Sequence, residues 1–204
     1  MSAPVHGLVL AAGSSSRLGQ PKQLLPYRDT ILVDWVVRTV EAASSLDHVT
    51  VVLGGASSEV RPQLTLGRAQ VVENPDYEDG CSSSYQAGLA ALHPEAAAVV
   101  VTLGDQPGVE TEDIDRLVAE WRRTGGRIMA VSYQGERGHP LLFSRELFGL
   151  LHELHGDKAA WKILDRHPDW IDDVEVDRPL PRDVDTWRDY EAVRADSGPR
   201  AARP

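Results

Sequence analysis

Two runs, Val49–Leu53 and Val99–Leu103, are built from β-branched and apolar residues throughout. Neither alternates apolar with charged positions, so each reads as a strand covered on both faces, and such strands belong to parallel sheets with helices on either side. The rest of the chain agrees. Val5–Ala11, Ala69–Glu73 and Ile128–Val131 read as further buried strands, and the second of the two runs extends back to give a strand over Ala97–Leu103. Helical patterns lie between them. Ile31–Ala43 places Leu32, Trp35, Val36, Thr39, Val40 and Ala43 on one side. Thr111–Arg123 opens with Thr111 as an N-cap signal and an acidic first turn, with Ile114, Leu117, Val118 and Trp121 inward. Arg145–His155 and Lys158–Asp165 form two more helical stretches broken at Gly156, and Trp187–Arg194 reads as a closing helix. Strand–helix alternation with short links predicts an α/β domain, a three-layer α/β/α sandwich around a mostly parallel sheet. Ligands of such sheets lie beyond the carboxyl ends of the strands, so the loops leaving strands carry the functional interest.

The length of 204 residues fits one domain over 1–196. The Gly/Pro/Ala/Arg-rich stretch 197–204 reads as a disordered tail. The net charge of −10 argues against nucleic acid or an anionic membrane as the main partner, since both demand a basic face. An anionic small substrate stays open, because a few cations and a metal ion reverse the potential within one cleft. The N-terminus has no basic stretch before a short apolar run, so a cytoplasmic location is the expectation. Cys81 is the only cysteine, which excludes an intrachain disulfide. Its neighbours Glu78 and Asp79 oppose thiolate formation, so it reads as a small loop residue.

The first loop, Leu10-Ala11-Ala12-Gly13-Ser14-Ser-Ser-Arg17-Leu-Gly19-Gln-Pro-Lys22, follows the first strand. It matches neither a Walker A loop nor GxGxxG. Its parts still suit a triphosphate. Gly13 and the small serines let backbone N–H groups approach anionic oxygens. Arg17 can fork onto two phosphate oxygens, and Lys22 supplies a compact charge. On composition alone, an ordinary Gly/Ser turn with solvated cations explains the segment equally well.

The segment LAAGSSSRLGQPKQLLP resembles the signature of nucleotidyltransferases of the molybdenum cofactor type. Its Ala-Ala-Gly start resembles the cytidylyltransferase branch of that group, whereas the guanylyltransferases show Ala-Gly-Gly. With the later motifs the resemblance spans roughly residues 7–193. It implies a glycosyltransferase-A-like, nucleotide-diphospho-sugar transferase fold. The implied reaction moves CMP from CTP to the terminal phosphate of molybdopterin (the molybdenum cofactor), with Mg²⁺ as the metal. A molybdenum hydroxylase is the implied recipient. Leu10, Ala11, Ala12, Gly13, Ser14, Arg17 and Lys22 would contact the nucleotide.

Later loops carry the remaining motifs. Asn74-Pro75 marks a turn, and Gly80 followed by serines suggests a loop entering a helix. The resemblance puts Asn74 and Ser84 by the nucleotide, and a plain helix cap is the alternative for Ser84. Gly104-Asp105-Gln106-Pro107 ends the most apolar strand, and the resemblance assigns Asp105 to Mg²⁺, which usually takes one or two carboxylates plus phosphate oxygens and water. The candidate for a second carboxylate is Asp183-Val-Asp185-Thr186, with a plain helix cap as the alternative for Asp185. Alternating residues of an extended segment share a side, so either aspartate could face the metal, and Asp185 is favoured. The family continues this motif with Pro-Glu-Asp, where this chain has Trp187-Arg188-Asp189. Gly138-His139-Pro140 matches the family's Gly-His-Pro and implies acceptor contact by His139. Lys158 of Gly-Asp-Lys is the other acceptor candidate, although the arginine that follows in the family is absent here. The alternatives are the same chemistry with GTP or another phosphorylated acceptor, a glycosyltransferase, and a non-catalytic cofactor-binding chaperone. The Arg17/Lys22 pair argues against a glycosyltransferase, whose nucleotide-sugar donor has no γ-phosphate.

Overall fold

The computed structural model describes residues 3–15, 17–156 and 159–196. In chain order the elements are β1 (Val5–Ala11), β2 (Pro26–Tyr27), β3 (Thr30–Ile31), α1 (Leu32–Glu41), β4 (His48–Leu53), α2 (Ser57–Val60) and β5 (Ala69–Glu73). Then follow α3 (Cys81–Ala90), β6 (Ala98–Leu103), α4 (Thr111–Thr124), β7 (Ile128–Tyr133), β8 (Glu136–Ser144), α5 (Phe148–His152), α6 (Trp161–Arg166), β9 (Ile171–Val176) and α7 (Trp187–Asp196). Seven strands form one sheet in the order β5-β4-β1-β6-β8-β7-β9, and β2-β3 make a small hairpin. Only β8 runs antiparallel to its neighbours in the large sheet. The mostly parallel sheet between helices agrees with the sequence expectation.

Helices cover both faces. On one face Val33, Val36, Val37 and Val40 of α1 and Ile114, Leu117 and Val118 of α4 pack on Val9, Val51 and Val100. The inward face of α1 is rotated from the predicted one: Trp35 and Thr39 are only partly buried, and Val33 and Val37 are core. The helix is covered on two sides, because buried Asp34 accepts hydrogen bonds from Thr30 Oγ1 (2.6 Å) and Thr65 N (2.5 Å). The N-cap of α4 lies one residue before the expected one. Glu110, not Thr111, is the N-cap, in a reciprocal capping box with Asp113. On the other face α3, α5 and α6 cover Leu8, Val99 and Val101 with Tyr85, Leu151 and Ile163. Gly88 lets α3 lie close, since a Cβ there would stand 2.4 Å from Leu8 Cδ1. The expected helix Arg145–His155 is a 3-10 turn followed by the short α5, and α6 starts at Trp161. The 197–204 tail and Lys158 lie outside the described residues.

A third cluster closes one end of the molecule. Leu18 of the first loop, Leu25, Tyr27 and Leu32 pack against Val184, Tyr190 and Val193. Tyr190 donates its hydroxyl to Pro26 O at 2.6 Å. The approach to α7 is thereby fixed beside the first loop, which matters for the site.

At the amino end of the sheet His6 is buried and shares a 2.8 Å hydrogen bond with Thr50 Oγ1. Burial, then the nearby His48 and His93, push its pKa down to about 4. Burial alone takes His139 down to about 4. An unfolded histidine takes up its proton near 6.5, whereas these two stay neutral in the folded chain until about pH 4. The unfolded state therefore binds more protons across that window, and stability falls as pH drops through it. Urea midpoints are expected to be flat above pH 7 and to decline from pH 6.5 towards 4, with a shallower decline in His6→Gln. An equal slope in both proteins would contradict this account.

Candidate nucleotide site

β1 is flanked by β4 on one side and β6 on the other. The chain leaves β1 for β4 and later returns to pair β6 on the opposite edge, so the carboxyl ends of β1 and β6 form the switch point where open α/β sheets bind ligands. The first loop leaves β1 there, and Gly104–Asp105 leaves β6. The two turns touch, since a Cβ on Gly104 would stand 2.7 Å from Ala11 Cβ.

The first loop is ordered by its own polar groups. Ser15, at φ 53°, accepts a bond on its Oγ from Lys22 N at 2.9 Å. The buried Gln23 amide donates to both Ala11 O and Gly13 O at 2.9 Å. These bonds hold the loop open as a rim and present Lys22 inward. Neither Ser15 nor Gln23 stood out in the sequence, because their partners are backbone atoms that only the fold identifies.

Lys22 is the electrostatic centre. Its Nζ lies 2.5 Å from Asp105 Oδ2 and 2.9 Å from Asp185 Oδ1. Burial works against the ammonium, but Asp105 and Asp185 outweigh it and the net shift of its pKa is upward. Lys22 is therefore charged at any physiological pH. Arg17 reaches the same Asp185 from outside at 3.3 Å, with its side chain largely exposed. Asp183 points elsewhere and accepts Gln106 Nε2 at 2.6 Å. Burial and the charge of Asp105 raise its pKa, opposed by the Gln106 bond. Val184 N donates to Asp105 O at 3.1 Å.

A cleft of about 560 Å³ opens over Lys22 and Asp105, while Arg17, Asp183 and Asp185 stand outside its lining. One wall is Leu10, Ala11, Ala12, Gly13 and Ser14 with Lys22 and Gln23, and the floor is Leu103–Asp105. The opposite wall is Tyr77, Glu78, Gly80, Cys81 and Ser84. Gly80 stands at φ 99° and ψ 179°, a conformation open only to glycine, and it turns the chain into α3 so that the helix starts at the cleft. Asn74 is buried behind this wall, where its Nδ2 donates to Ser83 Oγ (2.8 Å) and Ser84 Oγ (3.2 Å). It orients the serines rather than facing the cleft. Tyr77 and Glu78 were missed, since nothing in their spacing marked them.

His139 does not line this cleft. It is 5% exposed, its ring meets Trp161 edge-on at 6.0 Å, and its carbonyl accepts the Tyr133 hydroxyl. Among the described residues no group of three or more His, Cys, Asp or Glu side chains could hold a metal by itself. Asp105 and Asp185 nevertheless converge on one cation, the Lys22 ammonium. Two carboxylates gathered around one positive charge beside an anion-sized cleft are the donor set Mg²⁺ takes when phosphate and water complete its shell. The residues therefore fit a divalent metal.

A family model for the MobA-like NTP transferase domain matches residues 7–170. The chain belongs to the MobA-like NTP transferase family. Within it, the chain is 34% identical to nicotine blue oxidoreductase of Paenarthrobacter nicotinovorans, across 89% of this chain and 92% of that one. It is 31% identical to the molybdenum cofactor cytidylyltransferase of Escherichia coli, across 68% and 69%. The solved structure of Rv0371c from Mycobacterium tuberculosis in complex with manganese superposes with a TM-score of 0.82 at 38% identity, covering 96% of this chain and all of that one. Nucleotidyltransferases of lower identity share the fold. The MobA-like protein described here thus has the nucleotide-diphospho-sugar transferase fold and the nucleotidyltransferase ancestry that its first loop suggested. No helix among the described residues is long and apolar enough to cross a membrane.

Proposed function

We propose that this MobA-like protein transfers CMP from CTP to the terminal phosphate of molybdopterin and releases pyrophosphate. The observation that carries the reading is the meeting of Lys22 and Arg17 with Asp105 and Asp185 at the mouth of the cleft. Cations for a triphosphate and carboxylates for its metal stand within hydrogen-bond reach of one another. Likeness to a molybdenum cofactor cytidylyltransferase and the Ala11-Ala12-Gly13 sequence support CTP and molybdopterin as the substrates.

Asp105 and Asp185 would hold the Mg²⁺. When bound, the metal neutralises charge on the phosphate oxygens at the reacting phosphorus. Lys22 and Arg17 bind the outer phosphates and stabilise charge on the departing pyrophosphate. Leu10–Ser14 cradle the nucleotide with small side chains and backbone amides, and Ser84, held by Asn74, faces it from the α3 wall. By resemblance to the family Lys158 would serve the acceptor, whereas His139, buried against Trp161, would only support the wall behind it. The acceptor phosphate is already anionic, so no general base is required and catalysis is positioning plus electrostatics.

A second reading is an oxidoreductase, favoured by the likeness to nicotine blue oxidoreductase over most of both chains. The deciding experiment offers each NTP with Mg²⁺, with and without molybdopterin, and records pyrophosphate release. A parallel assay follows reduction of nicotine blue with NADH or NADPH. Acceptor-dependent release with CTP is expected. Release with GTP alone would replace the nucleotide, and dye reduction without pyrophosphate release would replace the reaction.

A further inference from the structure

Gln106 sits in the tight turn that leaves β6, directly after Asp105. Its N–H donates to Leu103 O at 3.2 Å and its carbonyl accepts from Val109 N at 3.3 Å, so the backbone is fixed from both sides. The residue is 5% exposed. Its Nε2 donates to Asp183 Oδ1 at 2.6 Å, while Oε1 meets no donor among the described residues. The amide is thus committed to Asp183.

The bond belongs to a set of three. Asp183 is held by the Gln106 side chain, Val184 by the carbonyl of Asp105, and Asp185 by Lys22. Consecutive residues of one segment are fastened to the Asp105 turn and its immediate surroundings. Asp185 itself is weakly held, since its side chain is 47% exposed and its other contact is the exposed Arg17. Its position therefore depends on the residues before it. Asp183 feels the charges of both Asp105 and Asp185. Without the amide donor, repulsion would drive the Asp183 carboxylate towards water and draw Asp185 away from Asp105.

We propose that Gln106 is a positioning residue for the divalent metal: by holding Asp183 it sets where the Asp185 carboxylate stands relative to Asp105. The inference rests on Asp105 and Asp185 being the metal ligands, as proposed above. Partners that orient ligands in this way are worth about 10–100-fold in metal affinity.

The test is direct Mn²⁺ binding, by calorimetry or by the loss of the free-ion electron paramagnetic resonance signal, on the full chain without nucleotide. Gln106→Leu keeps most of the volume and removes the donor, and its Mn²⁺ dissociation constant is expected to rise about tenfold or more. Gln106→Glu sets a carboxylate against Asp183 and is expected to weaken binding as much. In the Asp183→Asn background the same substitution restores a hydrogen bond with donor and acceptor exchanged, and its penalty is expected to shrink to about threefold or less. A merely structural role at position 106 would give equal penalties in both backgrounds, which would overturn the proposal. Native Mn²⁺ affinity in Gln106→Leu would overturn it too, and if that variant does not fold the paired backgrounds decide. Failure of the wild-type protein to bind Mn²⁺ would instead remove the ligand assignment and this inference together.

Discussion

Replacing Lys22 by alanine is expected to lower the rate of the proposed pyrophosphate release by about a hundredfold, the effect of losing one preorganised charge contact of about 3 kcal/mol. The argument is geometric. Among the described residues the Lys22 ammonium is the cation that both Asp105 and Asp185 contact directly, and its side chain is only 13% exposed. Bulk water therefore screens it little. Its removal leaves two carboxylates without that cation, so under the proposed reaction the loss is expected to fall on nucleotide binding and on the departing pyrophosphate. The loop itself should survive, because the ordering bonds come from the backbone N–H of Lys22 to Ser15 and from Gln23. Far-ultraviolet circular dichroism is expected to be unchanged while kcat/KM collapses. Turnover within about threefold of the native rate would remove Lys22 from the chemistry.

Arg178→Ala is expected to cost about 3–5 kcal/mol of stability, lowering the melting temperature by about 6–20 °C. The Arg178 side chain is 15% exposed and that of Asp113 is 3% exposed. The guanidinium bonds the Asp113 carboxylate, donates to Gly108 O at 3.0 Å and lies 5.0 Å over the Tyr133 ring. Asp113 also accepts from Glu110 N in the α4 capping box. Truncation strands a buried carboxylate, and stranding one partner costs more than the pair is worth. The pH dependence gives a second check. Burial already raises the Asp113 pKa, against the Glu110 N–H and Arg178, which lower it. Without Arg178 it rises further, and since only the ionised form is penalised, the deficit of the variant should shrink as pH falls from 8 to 5. A deficit that grows on acidification would refute the assignment.

The sheet was legible where strands are apolar and opaque where they are not. β1, β4, β5 and β6 announce themselves as short apolar runs between helices. β8 does not, because it opens with Glu136-Arg137-Gly138 and contains Pro140, although Gly138–Phe143 is buried. β9 is an edge strand carrying Asp172, Asp173 and Glu175, charges that suit a border exposed to water and hide the strand from any search for hydrophobicity. The first loop, Asp105 and Asp185 were recognisable by motif. Their mutual distances were not, since Lys22 and Asp185 are far apart in the chain and are brought together by tertiary contacts, among them the packing of Val184, Tyr190 and Val193 with Leu18. Tyr77 and Glu78 were invisible for the same reason: they matter by where α3 begins, and a glycine in a rare conformation sets that.

The packing of Leu18 against Val184, Tyr190 and Val193 also has a meaning in time. Lys22 and Asp185 stand 163 positions apart, so the loop with Lys22 is synthesised well before the segment with Asp185. The strands β1, β4, β5 and β6 can pair while synthesis is still under way, and they present a cleft with Lys22 and Asp105 but without its second carboxylate. Until that segment arrives, Lys22 has Asp105 beside it but not Asp185. The Lys22–Asp185 contact forms when α7 docks beside the first loop, so this corner of the fold is completed by a long-range contact rather than a local one.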